Sequence, residues 1–231
     1  MLKNSTGDTY MDILQLKDVK SLLSGQSECL LGVSGGIDSM VMLEWFSKNR
    51  EALGVNIRAM HINHGINDNS QYWANFVAGR CAELGVPCDV INVSLEGLGN
   101  NLEYAARKAR YKEFCETGIK TIILGHHAND QCESFLLKLF RGSGVRGLKS
   151  MSYVSPCWYD SDVTVYRPML HVTRDQIEIW AEQNNVKYIE DPSNSDIQYD
   201  RNYIRNCVWP VVKERFDIAD VNIVRSIDHI N

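Results

Sequence analysis

The segment Ser34-Gly35-Gly36-Ile37-Asp38-Ser39 has the residue types of an anion-binding turn. An apolar run at residues 29–33 precedes it and a stretch with helical spacing follows, so the pattern predicts a buried strand, a glycine turn and a helix. Glycines let the backbone approach an anion closely, and the first N–H groups of a helix carry a partial positive charge. With serine hydroxyl groups as further donors, such a turn would hold pyrophosphate.

Asp38 cannot bind phosphate directly, because it is itself an anion, and we expect it to hold Mg²⁺ against the phosphates. The alternative is an ordinary strand, turn and helix in which a serine or an aspartate caps the helix. A cap needs one such residue and not the whole string, which favours the phosphate site. The candidate nucleotide-binding residues are therefore Ser34, Gly35, Gly36, Ile37, Asp38 and Ser39.

A second polar group, at residues 125–133, lies at the end of a predicted buried strand and the start of a predicted helix. Strand ends of this kind line the ligand crevice in open parallel sheets. Asp130 and Glu133 fall on one helix face near its N-terminus, where two carboxylates could bind an ammonium group. Alternatively, Asp130 and Glu133 could be acids that the helix dipole favours in the first turn, with no functional role for His126 and His127. This alternative explains the pattern equally well. Zinc is a weaker interpretation, because no third ligand is apparent within the segment.

Basic residues recur in two places that could contact phosphate. Arg107 and Arg110 share one face of a predicted helix and carry forked donors, although a solvated helix face would also explain them. A later run contains no acid and is the local cluster that an acidic protein would need to hold RNA. Surface solubility would explain this run almost as well. Its members are Lys138, Arg141, Arg146 and Lys149.

The elements that must position these residues form an α/β pattern. Between residues 28 and 125, extended apolar runs alternate with helical patterns, which predicts a parallel sheet flanked by helices. We expect strands at about 28–33, 57–62, 88–93 and 121–125, and helices at about 39–48, 70–84, 102–117 and 129–140.

The last part of the chain reads as a smaller, mainly helical extension. We expect a strand at 163–166, a helix at 174–183 with Thr173 as its N-cap, a polar loop at 190–200, and a helix at 201–216 despite Pro210. A boundary near residue 168 divides the chain into a catalytic domain at 1–167 and an extension at 168–231.

Composition excludes several classes of protein. The 231 residues are 44% hydrophobic and 23% charged, which is typical of a globular protein, and the apolar runs are too short to cross a bilayer. We therefore expect no membrane association and a cytoplasmic location. The seven cysteines include no C-x-x-C pair, which argues against a disulfide framework and a tetrathiolate zinc site. The net charge of −5 argues mildly against nucleic acid unless basic residues cluster locally.

The string at residues 34–39 resembles the signature of the N-type pyrophosphatase-loop superfamily, whose members cleave ATP between the α and β phosphates and adenylate an oxygen. This resemblance implies a Rossmann-like adenine nucleotide α-hydrolase fold, with ATP and Mg²⁺ as cofactors. The class includes enzymes that act on tRNA bases and others that act on small molecules, so the loop alone does not identify the acceptor.

Between residues 29 and 216, the order and spacing of several motifs are similar to those of the tRNA(Ile)-lysidine synthetase family. Many relatives have two aspartates where this chain has Asn129-Asp130, so we expect Asp130 alone to supply the carboxylate at this place. Many also carry a further C-terminal region for tRNA recognition. The matching stretches are 34–39, 61–65, 105–111, 126–133, 141–144, 167–168, 190–194 and 201–205.

The family resemblance implies a two-step reaction on the wobble cytidine of an isoleucine tRNA with a CAU anticodon. ATP adenylates the ring carbonyl oxygen, and the ε-amine of free lysine then displaces AMP. In this scheme Asp130 and Glu133 bind the lysine ammonium, and His126 or a carboxylate takes the proton of the amine. The implied catalytic residues are Asp38, Arg107, His126 and Asp130, and the implied tRNA contacts are Arg110, Arg141, Arg146, Arg201 and Arg205.

Three other functions stay open at this point. A tRNA thiolase of the same loop class usually needs a pair of reactive cysteines, and the thiols here are isolated in the sequence. A small-molecule amide synthetase would share the loop and the ATP half-reaction. A non-catalytic nucleotide-binding module would leave Asp38 and the group at 126–133 without a task. Dependence of ATP–pyrophosphate exchange on added tRNA separates these classes.

Overall fold

The structure, a computed structural model, describes residues 2–3, 9–10, 12–65, 69–94 and 102–231. Its strands are β1 (Leu2–Lys3), β2 (Thr9–Tyr10), β3 (Glu28–Gly32), β4 (Asn56–Asn63), β5 (Cys88–Asn92), β6 (Thr121–Leu124), β7 (Val154–Pro156) and β8 (Thr164–Tyr166). The first two pair with each other, and the other six form one sheet in the order β5-β4-β3-β6-β8-β7. Neighbours in that sheet run parallel, except that the edge strand β7 is antiparallel to β8.

The helices in these ranges are α1 (Leu16–Leu22), α2 (Ile37–Leu53), α3 (Ser70–Glu83), α4 (Leu102–Glu116), α5 (Ala128–Phe140), α6 (Arg174–Gln183), α7 (Asp200–Tyr203), α8 (Trp209–Arg215) and α9 (Ala219–Ile230). Short 3-10 turns occur at Val145–Leu148 and Pro192–Ser195, and a π-helical turn occurs at Ile204–Val208. None of these helices combines the length and the apolar composition needed to span a membrane.

The central strands are apolar on both faces because helices cover both. Every residue of β6 is buried, as are the three middle residues of β3. On one face, α2 lies over the sheet with Trp45 and Phe46 fully buried, and residues of α1, α3 and α6 complete the same core. On the other face, α4 contributes Tyr111 and Phe114. A third cluster joins α5, α8 and α9.

The strand order places the functional loops side by side. The chain passes from β3 outward to β4 and β5, and then crosses to β6 on the other side of β3. The loops that follow β3 and β6 are therefore neighbours at the carboxyl edge of the sheet, the position where open α/β sheets bind ligands. Gly125 lets them approach, since a Cβ atom there would lie 3.3 Å from the backbone oxygen of Asp38.

The predicted α/β class, parallel sheet and helical C-terminal part are confirmed, with differences of detail. The sheet has an antiparallel edge strand because the segment before β8 returns as a hairpin. The expected helix at 201–216 is divided into α7, the π turn and α8. Pro210 lies in the first turn of α8, where a missing N–H costs least, so it starts a new helix instead of continuing the old one. The loop expected at 190–200 contains the short 3-10 turn Pro192–Ser195.

Candidate active site

The loop between β3 and α2 is held in shape by its own serines. The Ser39 hydroxyl accepts hydrogen bonds from the backbone N–H groups of Ser34 (3.1 Å) and Gly35 (3.2 Å), and it donates to the Gly36 carbonyl (2.9 Å). Gly35 has a φ of 97°, which favours glycine, and its carbonyl accepts from the N–H of Ile189 (2.9 Å). Ser39 is buried, whereas Ser34 is exposed at the rim. Ser39 therefore shapes the loop from below, while the Ser34 hydroxyl lies at the surface, within reach of the Ser39 hydroxyl (3.1 Å) and the N–H of Gly36 (3.4 Å).

The N-terminus of α2 is left open, in contrast to those of the helices beside it. Gly36 precedes α2 without any side-chain cap from the described residues, whereas α5 and α6 begin with complete capping boxes at His127 and Thr173. Because the first N–H groups of a helix have no partner within it, an uncapped start leaves donors for an external acceptor. The arrangement suits an anion such as pyrophosphate.

Asp38 is held by a residue that sequence reasoning missed. Its carboxylate accepts from Nη1 of Arg174 at 3.0 and 3.3 Å, across 136 residues of sequence. Arg174 opens α6, and its backbone N–H donates to the side chain of Asn129 (2.9 Å), which fixes α6 against α5. No motif in the sequence links Arg174 to the loop.

The surroundings of Asp38 fit a magnesium ion that is held mainly by phosphate. The side chain of Asp38 is 29% exposed, and no group of three or more candidate metal ligands occurs among the described residues. Mg²⁺ characteristically takes one or two protein carboxylates and completes its shell with phosphate oxygens and water. A single accessible carboxylate at the start of α2 matches that preference.

His127 joins the loop to the second polar group. Its Nδ1 accepts from the N–H of Asn129 (3.2 Å), so the proton of the neutral ring is on Nε2. That Nε2 lies 3.6 Å from Asp38 and 3.5 Å from Asp130. The carboxylates of Asp38 and Asp130, in the first turns of α2 and α5, therefore both lie near the imidazole of His127. His127 is closer to the centre of the site than the sequence suggested.

Asp130 and Glu133 lie together on α5, and two arginines form ion pairs with them. Arg201 donates to Asp130 (2.9 Å) and Glu133 (2.6 Å), and Arg205 donates to both oxygens of Glu133 (2.6 and 3.1 Å). The remaining oxygen of Asp130 accepts from the N–H of His127 (3.0 Å). We call Asp130, Glu133, Arg201 and Arg205 the charge cluster. Each of its four carboxylate oxygens accepts at least one hydrogen bond.

The charge cluster keeps Asp130 ionised although it is buried. Burial by itself would raise the pKa of Asp130, but the neighbouring His127 and the positive charge of Arg201 outweigh it and hold the pKa at about 2. Glu133 is only 3% exposed. Balanced pairing of this kind is what a buried carboxylate requires.

Two buried polar atoms beside the cluster have no partner among the described residues, Nδ1 of His126 and Nε of Arg167. Burial is the main cause that lowers the pKa of His126 to about 4, and the charges of Arg167 and Arg107 add to it. The ring is therefore neutral at pH 7. Unpaired buried polar atoms are uncommon, and here two of them leave hydrogen-bonding capacity unused beside the cluster.

The predicted RNA contacts are only partly brought together. Arg107 and Arg110 are exposed on α4, and Arg107 is near His126. Arg141 is exposed but pairs with Asp200 (2.8 Å), and Lys149 donates to the carbonyl of Asn231 (3.0 Å). Arg146 is exposed in the 3-10 turn.

Comparison with known proteins gives consistent results. Residues 9–212 match the family described as the PP-loop domain. A tRNA(Ile)-lysidine synthase from Vibrio cholerae is 37% identical over 222 residues, and one from Haemophilus ducreyi is 38% identical over 206 residues. These alignments cover 94% and 88% of this chain but 50% and 46% of the relatives, so the chain spans about half the length of the curated relatives it matches.

A solved structure supports the fold assignment. The U34-tRNA thiolase NcsA from Methanococcus maripaludis superposes with a TM-score of 0.76 over 97% of this chain and 82% of its own, at 18% identity. At that identity the likeness concerns the fold. Together with the match over residues 9–212, the open loop at the carboxyl edge of the sheet shows that the chain belongs to the PP-loop domain family.

Proposed function

We propose that this chain carries out the ATP-dependent joining of free lysine to the wobble cytidine of an isoleucine tRNA with a CAU anticodon, with release of AMP and pyrophosphate. One observation supports it most: the open phosphate loop and the paired carboxylates share a single site, joined at His127. The names of the curated relatives, tRNA(Ile)-lysidine synthase, agree with this reaction. The thiolase alternative is favoured by fold likeness alone.

In the first half-reaction, the loop at 34–39 would bind the phosphates of ATP. Asp38 would hold Mg²⁺, which when bound neutralises phosphate charge. For Asp38 to do so, Arg174 must release it, and its guanidinium would then face the phosphates. Arg107, beside His126, would stabilise charge on the α-phosphate with Arg110 in support.

In the second half-reaction, Asp130 and Glu133 would bind the ammonium group of lysine. Arg201 and Arg205 now hold these carboxylates, so lysine must displace a guanidinium or enter beside it. The lysine amine must also lose a proton. His126 is neutral and able to accept it, but a pKa of about 4 makes it a weak base, and a carboxylate is an equally good candidate.

For the RNA, we propose that Arg141, Arg146, Arg201 and Arg205 contact phosphates, and that the extension at 168–231 contributes this surface next to the catalytic domain at 1–167. Arg201 and Arg205 could take part only after they leave the charge cluster. We also expect the enzyme to act in the cytoplasm, where its tRNA substrate is found.

The test is incorporation of lysine into RNA. Purified protein, ATP, Mg²⁺, lysine and a transcript of the isoleucine tRNA with a CAU anticodon should yield a cytidine heavier by one lysine less one water, detected by mass spectrometry of nucleosides. A transcript with another anticodon is the substrate control, and Asp38→Ala is the protein control. Recovery of only unmodified cytidine, from protein that binds both ATP and the tRNA, would reject the proposal.

A further inference from the structure

Three exposed aromatic side chains gather beside the proposed site, where α4 meets the turn between β7 and β8. Tyr104, Trp158 and Tyr159 are 59%, 46% and 40% exposed. The ring of Trp158 lies 6.2 Å from that of Tyr104 and 6.0 Å from that of Tyr159, measured between centroids. We call these three residues the aromatic surface. Exposed aromatic rings that adjoin one another are typical of a binding surface.

The aromatic surface is supported from below. The buried ring of Tyr111 lies edge-on to Trp158 at 5.6 Å and to Phe114 at 6.1 Å. The thiols of Cys115 and Cys157 are 3.7 Å apart and join the turn to α4. Trp158 therefore rests on a packed core and is fixed before any ligand arrives.

Charge around the aromatic surface favours the flat face of a base over phosphate. The turn carries Asp160 and Asp162, whose N–H donates to the Asp160 carboxylate (3.0 Å), and these acids would repel a phosphate. The positive charge near the aromatic surface is that of Arg107, whose guanidinium lies 5.5 Å from the centre of the Tyr111 ring. Arg107 also acts electrostatically on His126, which links this side of α4 to the proposed reaction site.

We propose that Tyr104, Trp158 and Tyr159 form a stacking surface for unpaired bases of the RNA substrate, namely nucleotides that adjoin the one that reacts. Aromatic side chains stack on any base, because every base has a π-face, and arginine nearby can hold the connecting phosphate. This inference rests on the proposed function, since it assumes an RNA whose reactive base is unpaired and enters at Arg107. It assigns the aromatic surface a ligand class that the loop and the charge cluster do not account for.

The test measures binding of an anticodon stem-loop RNA to the intact chain. Of the five tryptophans, Trp45, Trp180 and Trp209 are buried, Trp73 is half-buried and Trp158 is exposed, so RNA should quench mainly the part of the fluorescence that is lost in Trp158→Phe. Trp158→Ala should weaken binding about tenfold to a hundredfold, the range expected for one lost stacking contact. Trp158→Phe should restore most of the affinity. The slope of log K against log salt should not change, because no phosphate contact is removed.

Tyr72→Ala is the matched control, since Tyr72 is 63% exposed on α3, and it should bind RNA like the wild type. If Trp158→Ala lowers the melting temperature, the more exposed Tyr104→Ala tests the same surface. Wild-type affinity in both alanine variants, with lysine incorporation intact, would overturn the stacking surface and leave the proposed function standing. A wild-type chain that binds no RNA would overturn both.

Discussion

The phosphate loop and the charge cluster lie at the same edge of the sheet but are built in opposite ways. The serine hydrogen bonds that shape the loop join residues at most five apart, and the loop leaves the start of α2 open. The cluster is closed by ion pairs that span 68 to 75 residues, and every carboxylate oxygen already has a donor. One region is ready for an anion, whereas the other holds its own cations.

This difference suggests an order of events. In the proposed reaction, ATP would enter the loop with little rearrangement beyond release of Asp38 by Arg174, whereas lysine would have to compete with two guanidinium groups. Adenylation should therefore be independent of lysine, and the second half-reaction should depend on how the charge cluster opens. The experiments below test the two regions separately.

The largest effect should come from Asp38→Ala. Loss of the carboxylate at the start of α2 should lower the rate of adenylation by about a thousandfold or more, because electrostatic stabilisation of transferred phosphate is worth several kcal/mol. The side chain is 29% exposed, so the melting temperature should stay close to that of the wild type. ATP turnover retained alongside a large loss of stability would show instead that the loop is structural.

A second effect should separate the charge cluster from the loop. Asp130→Asn or Glu133→Gln should raise the KM for lysine about tenfold to a hundredfold, since a hydrogen bond to a charged group contributes roughly 1.5–3 kcal/mol, and should spare adenylate formation. Glu133→Gln should also cost about 1–3 kcal/mol of stability, because it leaves two arginines short of a partner that is 3% exposed. Asp200→Asn, which breaks the exposed pair with Arg141, is the control and should change both quantities little. Unchanged lysine dependence in both variants rejects the assignment.

The third prediction concerns RNA phosphate contacts outside both regions. Replacing Arg141, Arg146 and Lys149 by alanine should flatten the slope of log K against log salt by about two units, since each contact contributes roughly −0.7 to −0.9. Affinity should fall equally for correct and incorrect tRNAs, because phosphate contacts carry no sequence information. Replacing Lys17, Lys20 and Lys120, which are exposed elsewhere, provides a control with the same change of charge. If the triple change leaves the slope of log K against log salt unchanged, the RNA binds another face of the protein.

A smaller effect should appear in the pH dependence of stability. The pKa of His126 is about 4 in the folded chain and near 6.5 when unfolded, so the unfolded state binds more protons between those values. Stability should therefore fall as the pH drops from about 6.5 to 4, by on the order of 1–3 kcal/mol from this residue. His126→Asn should make thermal unfolding less sensitive to pH in that window. Equal pH dependence in both proteins would contradict the burial of a neutral ring.

The smallest effect should come from Arg174→Gln. The Arg174–Asp38 pair is about one-third exposed, and pairs of that kind contribute roughly 0.2–1 kcal/mol. Removing Arg174 should therefore raise the affinity of the nucleotide-free chain for Mn²⁺, used as a probe of Mg²⁺, by about twofold to fivefold in titrations followed by electron spin resonance. Arg174→Lys should lie closer to the wild type. Weaker Mn²⁺ binding in Arg174→Gln would mean that Arg174 orients Asp38 instead of competing for it.

The two regions also differ in what the sequence could predict. The strands at the centre were located to within one or two residues, because each is a short apolar run between turns. The six consecutive residues 34–39 indicated the strand, turn and helix, but not the contacts of Gly35 with Ile189 and of Asp38 with Arg174. The antiparallel strand β7 was not predicted, because its three residues, Val154–Pro156, are too few to show an alternation of apolar and polar side chains.

Long-range pairing accounts for the contacts that the local sequence could not show. Arg201 and Arg205 were expected to face RNA, and nothing in their local sequence shows that they pair with carboxylates on α5. Arg174 meets Asp38 only because α6 begins beside the loop, a fact of tertiary packing. The sequence analysis did not predict that His127 caps α5. Histidine followed three residues later by aspartate nevertheless gives both halves of a capping box.

The most direct test of this account is ATP–pyrophosphate exchange measured with tRNA present and lysine absent. An open loop beside a closed charge cluster predicts exchange that requires the isoleucine tRNA, proceeds without lysine, persists in Glu133→Gln and disappears in Asp38→Ala. Exchange that needs lysine but no tRNA would contradict the account, because the adenylated group would then be a small molecule.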